Sequence, residues 1–162
     1  MSQPESAANP QRRRPAHLPI KQASNRAVIV FLTVCTKHRR SLLANATMHQ
    51  LLRHAWSRAD HWTVGRYVIL PNHLHLFCAP ASPLENSLTA WVRYWKGLAA
   101  KLAVTGAGSL WEKNFWDTQL RQSESYAARW EYVRLNPVRH GLVTDPEAWP
   151  FQGELDHLPW HD

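Results

Sequence analysis

Apolar residues follow two different periods along this chain, and each period predicts one type of element. The run Ala27–Cys35 is almost wholly apolar and rich in β-branched residues, which is typical of a strand in the middle of a sheet. Similar strand patterns return at Trp62–Leu70 and His73–Ala79. Apolar residues recur at helical spacing over residues 46–60 and again over residues 84–103. The first two thirds of the chain therefore predict three strands and two helices.

The next segment adds a strand and a helix. Residues 111–121 are short and aromatic, and we expect a loop followed by a strand. Ser123 is a suitable N-cap for a helix that runs to about Leu135, and Pro137 disfavours helix at Asn136. The order β-α-β-β-α-β-α predicts an α+β fold, a ferredoxin-like sandwich in which an antiparallel sheet carries helices on one face.

Length and composition indicate one folded domain with polar ends. A chain of 162 residues is the usual size of a single domain. Residues 1–25 are rich in proline and arginine and predict a basic, flexible N-terminal tail, residues 26–150 form the domain, and residues 151–162 form a C-terminal tail. The N-terminus has no apolar secretory segment and no apolar run is long enough to span a bilayer, which favours a cytoplasmic protein without a membrane partner. Cys35 and Cys78 are far apart in apolar runs, and we expect buried thiols in a reducing compartment.

The charge balance is strongly basic. A formal net charge of +7 and a pI near 9.9 favour a polyanionic partner, most often nucleic acid, although a basic surface also serves solubility alone. For each basic side chain, a solvated surface charge is the alternative to a nucleic-acid contact. The candidates for such a contact are Arg12, Arg13, Arg14, Lys37, Arg39, Arg40, Arg93, Lys96, Lys101, Arg134 and Arg139.

Two histidines two residues apart form a candidate metal site. Because side chains alternate along a strand, His73 and His75 point to one face, with their Cα atoms about 6–7 Å apart, and Leu74 and Leu76 point to the other. Two imidazoles on one face can chelate one metal ion, and Mg²⁺ or Mn²⁺ is suitable if phosphate oxygens fill the open positions. The alternative is that one or both histidines are merely packed or hydrogen-bonded.

Tyr132 is a candidate nucleophile. It lies four residues before Asn136, so on a helix the two side chains share a face. A tyrosine can attack a phosphodiester and form a covalent phosphotyrosine, provided that the phosphate is polarised, and Asn136 could give a carbonyl oxygen to the same metal. The alternative is an amphipathic packing residue. Tyr126 falls in a helical stripe with Trp130 and Val133, which favours a core position for that tyrosine.

Three motifs taken together resemble a known family. They are Pro71-Asn-His-Leu-His75, then Trp111-Glu-Lys-Asn-Phe-Trp-Asp117, then Glu131-Tyr-Val-Arg-Leu-Asn-Pro-Val-Arg-His-Gly-Leu-Val143. In order and spacing they resemble the HUH single-tyrosine transposases, and within them most closely the REP-associated tyrosine transposases. The similarity covers roughly residues 26–150.

The resemblance implies a fold, an activity and a site. The fold is ferredoxin-like, and the activity is divalent-metal-dependent nicking and rejoining of single-stranded DNA folded into REP-like hairpins, in the bacterial cytoplasm at the nucleoid. It implies that His73 and His75 bind the metal, that Tyr132 forms a 5′-phosphotyrosine, and that Asn136 is a metal ligand where many relatives have glutamine. Asp117 is either a partner of a metal-bound histidine or a plain surface carboxylate.

Two other functions stay open at this point. A domesticated protein could bind structured single-stranded DNA without cutting it, and a metal-dependent phosphodiesterase could use water in place of the tyrosine. The sequence is compatible with a monomer and with a homodimer.

Overall fold

The computed structural model describes residues 27–82, 87–103 and 108–162. The predicted N-terminal tail, with Arg12, Arg13 and Arg14, lies outside the described residues. The elements are β1 (Val30–Cys35), a 3-10 turn (Lys37–Arg39), α1 (Ala46–Arg58), β2 (Trp62–Ile69), β3 (His73–Pro80), α2 (Leu88–Leu102), β4 (Trp116–Gln119), α3 (Tyr126–Val133), α4 (Asn136–Arg139), a second 3-10 turn (Pro146–Ala148) and β5 (Gln152–Glu154).

The five strands form one antiparallel sheet in the order β4-β1-β3-β2-β5. β3 is its central strand and is hydrogen-bonded on both sides, to β1 and to β2. Because a paired strand with neighbours on both sides has no free edge, its backbone is fixed along its length. The predicted α+β class and antiparallel sheet are confirmed.

The main core lies between the sheet and two helices. Leu32, Leu74 and Leu76 point to this face and are fully buried. They pack with the apolar stripes of α1 and α2, whose Trp56 and Trp95 rings meet edge to face with centroids 5.9 Å apart. Side-chain caps begin both helices: the Asn45 side chain accepts from the amide of Met48, and that of Ser87 accepts from the amide of Ala90. α1 and α2 therefore cover the same face of the sheet.

The third long helix lies on the other face of the sheet. Tyr126 and Val133 of α3 are buried there against Phe31 and Phe77, as the stripe from Tyr126 predicted. Ser125 caps this helix by accepting from the amide of Ala128, so its first turn lies two residues later than the predicted cap. The expectation that the helices lie on one face is therefore wrong in part: α1 and α2 cover one face, and α3 packs on the histidine side.

Residues 151–162 are part of the fold. The strand β5 pairs with β2, and Leu158 is buried against the α3 face. At Gly65 a Cβ atom would lie 2.6 Å from the Leu158 side chain and 2.6 Å from the Tyr126 hydroxyl, so only glycine allows this approach. Over the described ranges, no helix has the length and apolar character needed to cross a bilayer.

Candidate functional site

The His-x-His pair lies on the central strand. His75 is level with Thr33 of β1 on one side and Val68 of β2 on the other. The rings of His73 and His75 are on the same face, as predicted, with centroids 5.0 Å apart. His75 also stacks on Phe31 of β1, with ring centroids 5.3 Å apart. The central strand therefore presents two imidazoles on one face of the sheet.

Each imidazole has a hydrogen-bond partner at Nδ1. Nδ1 of His73 lies 2.7 Å from the Asn72 side-chain oxygen, which can only accept, so this nitrogen carries the proton. Nδ1 of His75 lies 2.9 Å from the Thr33 hydroxyl. A partner at Nδ1 orients the ring and leaves Nε2 as the nitrogen that can bind a metal, the arrangement typical of metal-binding histidines.

Both histidines are neutral near pH 7. Burial, together with the positive charges of His140 and Arg39, lowers the pKa of His73 to about 4. Burial also lowers the pKa of His75 well below its usual value, and the charge of Arg139, with any proton bound to His73 or His140, acts in the same direction. Neutral imidazole is the form that ligates metal, so neither ring has to lose a proton first.

The helix that carries Tyr132 ends earlier than the sequence predicted. α3 stops at Val133, and Asn136 begins the separate short helix α4, so Tyr132 and Asn136 do not share the face of one continuous helix. The reason is Pro137, which has no amide hydrogen for the Val133 carbonyl. The Asn136 side chain supplies it instead, with Nδ2 donating to that carbonyl over 2.9 Å.

Arg139 binds Tyr132 at this break between α3 and α4. Its Nη1 donates to the Tyr132 carbonyl over 2.9 Å, and its guanidinium carbon lies 4.0 Å from the centre of the Tyr132 ring. The next residue, His140, has its ring centroid 5.6 Å from that of His73. The end of α4 thus lies against the histidine pair and is bound directly to Tyr132.

Three of the predicted basic residues lie on the exposed segment that follows β1. Lys37 and Arg39 are exposed, and Arg40 donates to the Ser109 carbonyl over 2.8 Å. His38 and Arg39 have φ values of 57° and 54°, in the left-handed region that non-glycine residues rarely adopt. This turn brings Arg39 near enough to His73 for its charge to lower the pKa of that ring.

The other predicted DNA contacts are spread over the molecule. Arg134 forms ion pairs with Glu131 at 3.0 Å and Glu147 at 2.9 Å. Arg93 and Lys101 are exposed on α2, and Lys96 on the same helix is buried. As DNA contacts, all of them stay predictions. Two of the predicted arginines lie near enough to the histidine pair to lower its pKa values, Arg39 at His73 and Arg139 at His75, and Arg139 also contacts Tyr132.

The donor set fits a divalent cation with oxygen ligands in its remaining positions. Nε2 of His73 and Nε2 of His75 supply two nitrogens, and Oδ1 is the atom of Asn136 that could ligate, since Nδ2 is used on Val133. In the described part of the chain, no group of three or more histidine, cysteine, aspartate or glutamate side chains could hold a metal ion. Two imidazoles and open positions are what a catalytic site needs if the substrate supplies the other oxygens.

Sequence reasoning missed three contributors to this site. Asn72 and Thr33 orient the histidines, and His140 lies beside His73. Asn72 is part of the Pro71–His75 motif and could have been found there, whereas Thr33 and His140 come near the histidines only through folding. Asp117 does not take the role of a histidine partner: it is level with Leu32, on the opposite face from the two rings.

Comparison with known proteins gives one consistent group of relatives. The chain is 29% identical over 124 residues to a REP-associated tyrosine transposase of Escherichia coli (strain K12). This alignment covers 75% of this chain and 73% of that protein. It also superposes on a solved structure of a REP-associated tyrosine transposase bound to a REP hairpin, with a TM-score of 0.67 and 26% identity over 83% of this chain and 81% of the other. No protein-family model matches the chain.

Proposed function

Since the chain is a homologue of the REP-associated tyrosine transposases, we propose that it nicks and rejoins single-stranded DNA folded into hairpins. The observation that carries the proposal is the contact of Arg139 with Tyr132 next to the oriented histidine pair. Phosphodiester transfer requires a nucleophile and positive charge beside the phosphate. Tyr132 supplies the nucleophile, Arg139 supplies a positive charge, and the two neutral imidazoles can hold a metal ion.

In this proposal His73, His75 and Asn136 hold a divalent cation, Mg²⁺ or Mn²⁺. When bound, such an ion would polarise the scissile phosphate. The chain's own part is to keep both rings neutral by burial and to aim them through Thr33 and Asn72.

Tyr132 is the proposed nucleophile. Its phenolic oxygen attacks phosphorus, the bond from phosphorus to the 3′ oxygen breaks, and the products are a free 3′-hydroxyl and a 5′-phosphotyrosine. The phosphotyrosine keeps the energy of the broken bond, so attack by another 3′-hydroxyl rejoins the strand without ATP and releases the tyrosine. Arg139 holds the ring over which its guanidinium stacks and adds positive charge where the phosphate arrives.

A covalent-adduct assay tests the proposal. The substrates are 3′-labelled palindromic hairpins from the DNA around the coding sequence, with Mn²⁺ or Mg²⁺ or with a chelator, separated on a denaturing gel. We expect a slow-migrating labelled band that needs metal, is lost in Tyr132→Phe and persists in Tyr94→Phe, a matched change at an exposed tyrosine of α2.

Two other results would contradict the proposal. Cleavage that survives Tyr132→Phe and gives no slow band would indicate a phosphodiesterase that uses water. Binding of the hairpins without cleavage by the wild-type protein would indicate a DNA-binding protein that is not an enzyme.

A further inference from the structure

The second motif of the sequence, Trp111–Asp117, has no part in the chemistry proposed above. Its first residues lie beside the turn that follows β1. Trp111 forms a β-bridge with Thr36, and the Glu112 amide donates to the Cys35 carbonyl over 3.0 Å. The motif is therefore bound to the backbone at the point where β1 ends and the turn begins.

That turn has an unfavourable backbone conformation. His38 and Arg39 have φ values of 57° and 54°, and among the described residues they are the only ones other than glycine with a positive φ. Residues that carry a Cβ rarely adopt this region, so the turn needs contacts that hold it. The Glu112 side chain gives one of them, because its Oε1 accepts from the His38 amide over 3.1 Å.

The backbone of Glu112 is itself fixed by α2. The ammonium group of the buried Lys96 donates to the Glu112 carbonyl over 2.7 Å, and the Lys96 carbonyl accepts from the Trp111 indole over 3.0 Å. The amide, the carbonyl and the carboxylate of Glu112 are thus all hydrogen-bonded, to β1, to α2 and to the turn. A carboxylate on so constrained a backbone can hold the turn in one conformation.

The turn places Arg39 beside the proposed metal ligands. Cys35, the last residue of β1, is level with His73, and the Thr36 amide donates to the Asn72 carbonyl over 3.0 Å. The turn therefore starts next to the histidine motif, and the Arg39 charge is close enough to lower the pKa of His73. An arginine at this place adds positive charge where the scissile phosphate binds in the proposed function.

We propose that Glu112 is a positioning residue for the reaction: its carboxylate holds the left-handed turn and so keeps Arg39 beside the phosphate that Tyr132 attacks. Arg39 is the group that contacts the phosphate, and Glu112 acts only through it. Because Glu112 accepts from a backbone amide, this role requires an oxygen at the reach of Oε1 and does not require the negative charge. The inference rests on the proposed function, since it assumes a phosphate under attack.

Substitutions at Glu112 separate reach from charge. Glu112→Ala removes the oxygen and leaves the backbone bonds of residue 112 in place, and Glu112→Asp keeps the charge but is one methylene too short. Glu112→Gln keeps the reach and removes the charge. Glu154→Ala, at an exposed position of β5, removes a carboxylate elsewhere as the matched control.

The measured quantity is the single-turnover rate of adduct formation on a 3′-labelled hairpin, with protein in excess so that affinity does not enter. We expect Glu112→Ala and Glu112→Asp to slow it about tenfold, because the arginine is no longer held in place. Glu112→Gln and Glu154→Ala should stay within about twofold of the wild type. Slow Glu112→Gln together with fast Glu112→Asp would show that charge matters and would overturn the inference.

A double-mutant cycle with Arg39→Gln tests whether Glu112 acts through Arg39. In the Arg39→Gln background, Glu112→Ala should slow the reaction by less than about twofold, because the group that it positions is already lost. An equal loss in both backgrounds, or a wild-type rate for Glu112→Ala, means that the inference is wrong while the proposed function stands. If the wild type forms no adduct, the proposed function fails and this inference fails with it.

Discussion

The guanidinium carbon of Arg139 lies 4.0 Å from the centre of the Tyr132 ring, and Nη1 of Arg139 donates to the Tyr132 backbone carbonyl. One side chain thus fixes both ends of the tyrosine, its ring and its backbone. The helix breaks before Pro137, so the carbonyl of Tyr132 lies at a helix end, where it accepts from the Leu135 amide over 3.4 Å and from Arg139.

This contact leads to a prediction about rate. Arg139→Lys keeps the charge but cannot stack as a plane, and we expect adduct formation to slow about tenfold. Hairpin affinity should change much less, because the tyrosine acts after binding. Single-turnover adduct kinetics and anisotropy measure the two quantities, and urea unfolding checks that the variant is folded. An unchanged rate with an intact fold would show that Arg139 does not orient the nucleophile.

The hydrogen bond between Nδ1 of His75 and the Thr33 hydroxyl leads to a prediction about metal affinity. Thr33→Val keeps the shape of the side chain and removes the partner of Nδ1, so we expect Mn²⁺ to bind about 10–100-fold more weakly. Isothermal titration calorimetry without DNA measures this directly. Thr118→Val, at an exposed site on the edge strand β4, is the matched control and should bind Mn²⁺ as the wild type does. Equal affinity in both variants would rule out the role of Thr33.

Two arginines should differ in their effect on the salt dependence of binding. Arg39 is exposed beside His73, so Arg39→Gln should reduce the slope of log affinity against log salt by about one. Arg134 is already paired with Glu131 and Glu147, so Arg134→Gln should leave the slope nearly unchanged. Anisotropy titrations over a series of salt concentrations give both slopes. The reverse order would assign the phosphate contact to Arg134.

Lys96 should make stability depend on pH in the alkaline range. Its pKa is about 8 in the folded chain against 10.5 for an ordinary lysine, because burial and Arg93 outweigh the opposing charges of Glu112 and Cys35. Below pH 8 the amine is charged in both states and the folded state bears the full cost of burying that charge. Between pH 8 and 10.5 the unfolded chain binds more protons, so stability rises with pH.

The comparison with Lys96→Met isolates this effect. The unfolding free energy of wild type minus that of the variant should rise by about 3 kcal/mol from neutral pH to above pH 10.5. This follows from the difference between a pKa of about 8 and one of 10.5, since each unit corresponds to about 1.36 kcal/mol. Urea unfolding at a series of pH values measures it. A difference that is flat with pH would mean that Lys96 keeps an ordinary pKa.

The sequence predicted the parts of this fold that depend on local period. The apolar run before Cys35 became β1, and the helical stripes became α1 and α2, because burial of one face decides such elements. The strand β5 could not be predicted this way. Its three residues, Gln152–Glu154, have no apolar alternation and are extended because they pair with β2.

The candidate site also has parts that local sequence pattern predicts and parts that depend on contacts between distant residues. His73 and His75 were predictable because two residues on one strand share a face whatever surrounds them. The partner of His75 was not, since Thr33 is 42 residues away and meets it only through strand register. Asn136 was predicted as a site residue, but its place outside α3 was not. The missing amide hydrogen of Pro137 ends the helix before Asn136, and the Asn136 side chain donates to the Val133 carbonyl in its place.

The central position of β3 has a consequence for motion. A strand bonded on both sides can shift only with the whole sheet, so the backbone that carries the two imidazoles is fixed relative to its neighbouring strands. The tyrosine lies on α3, which meets the sheet through side chains: Val133 packs against it, and the Tyr126 hydroxyl accepts from the Arg66 amide of β2 over 3.0 Å. A change in the distance between the Tyr132 side chain and the two histidines therefore requires α3 to move relative to the sheet.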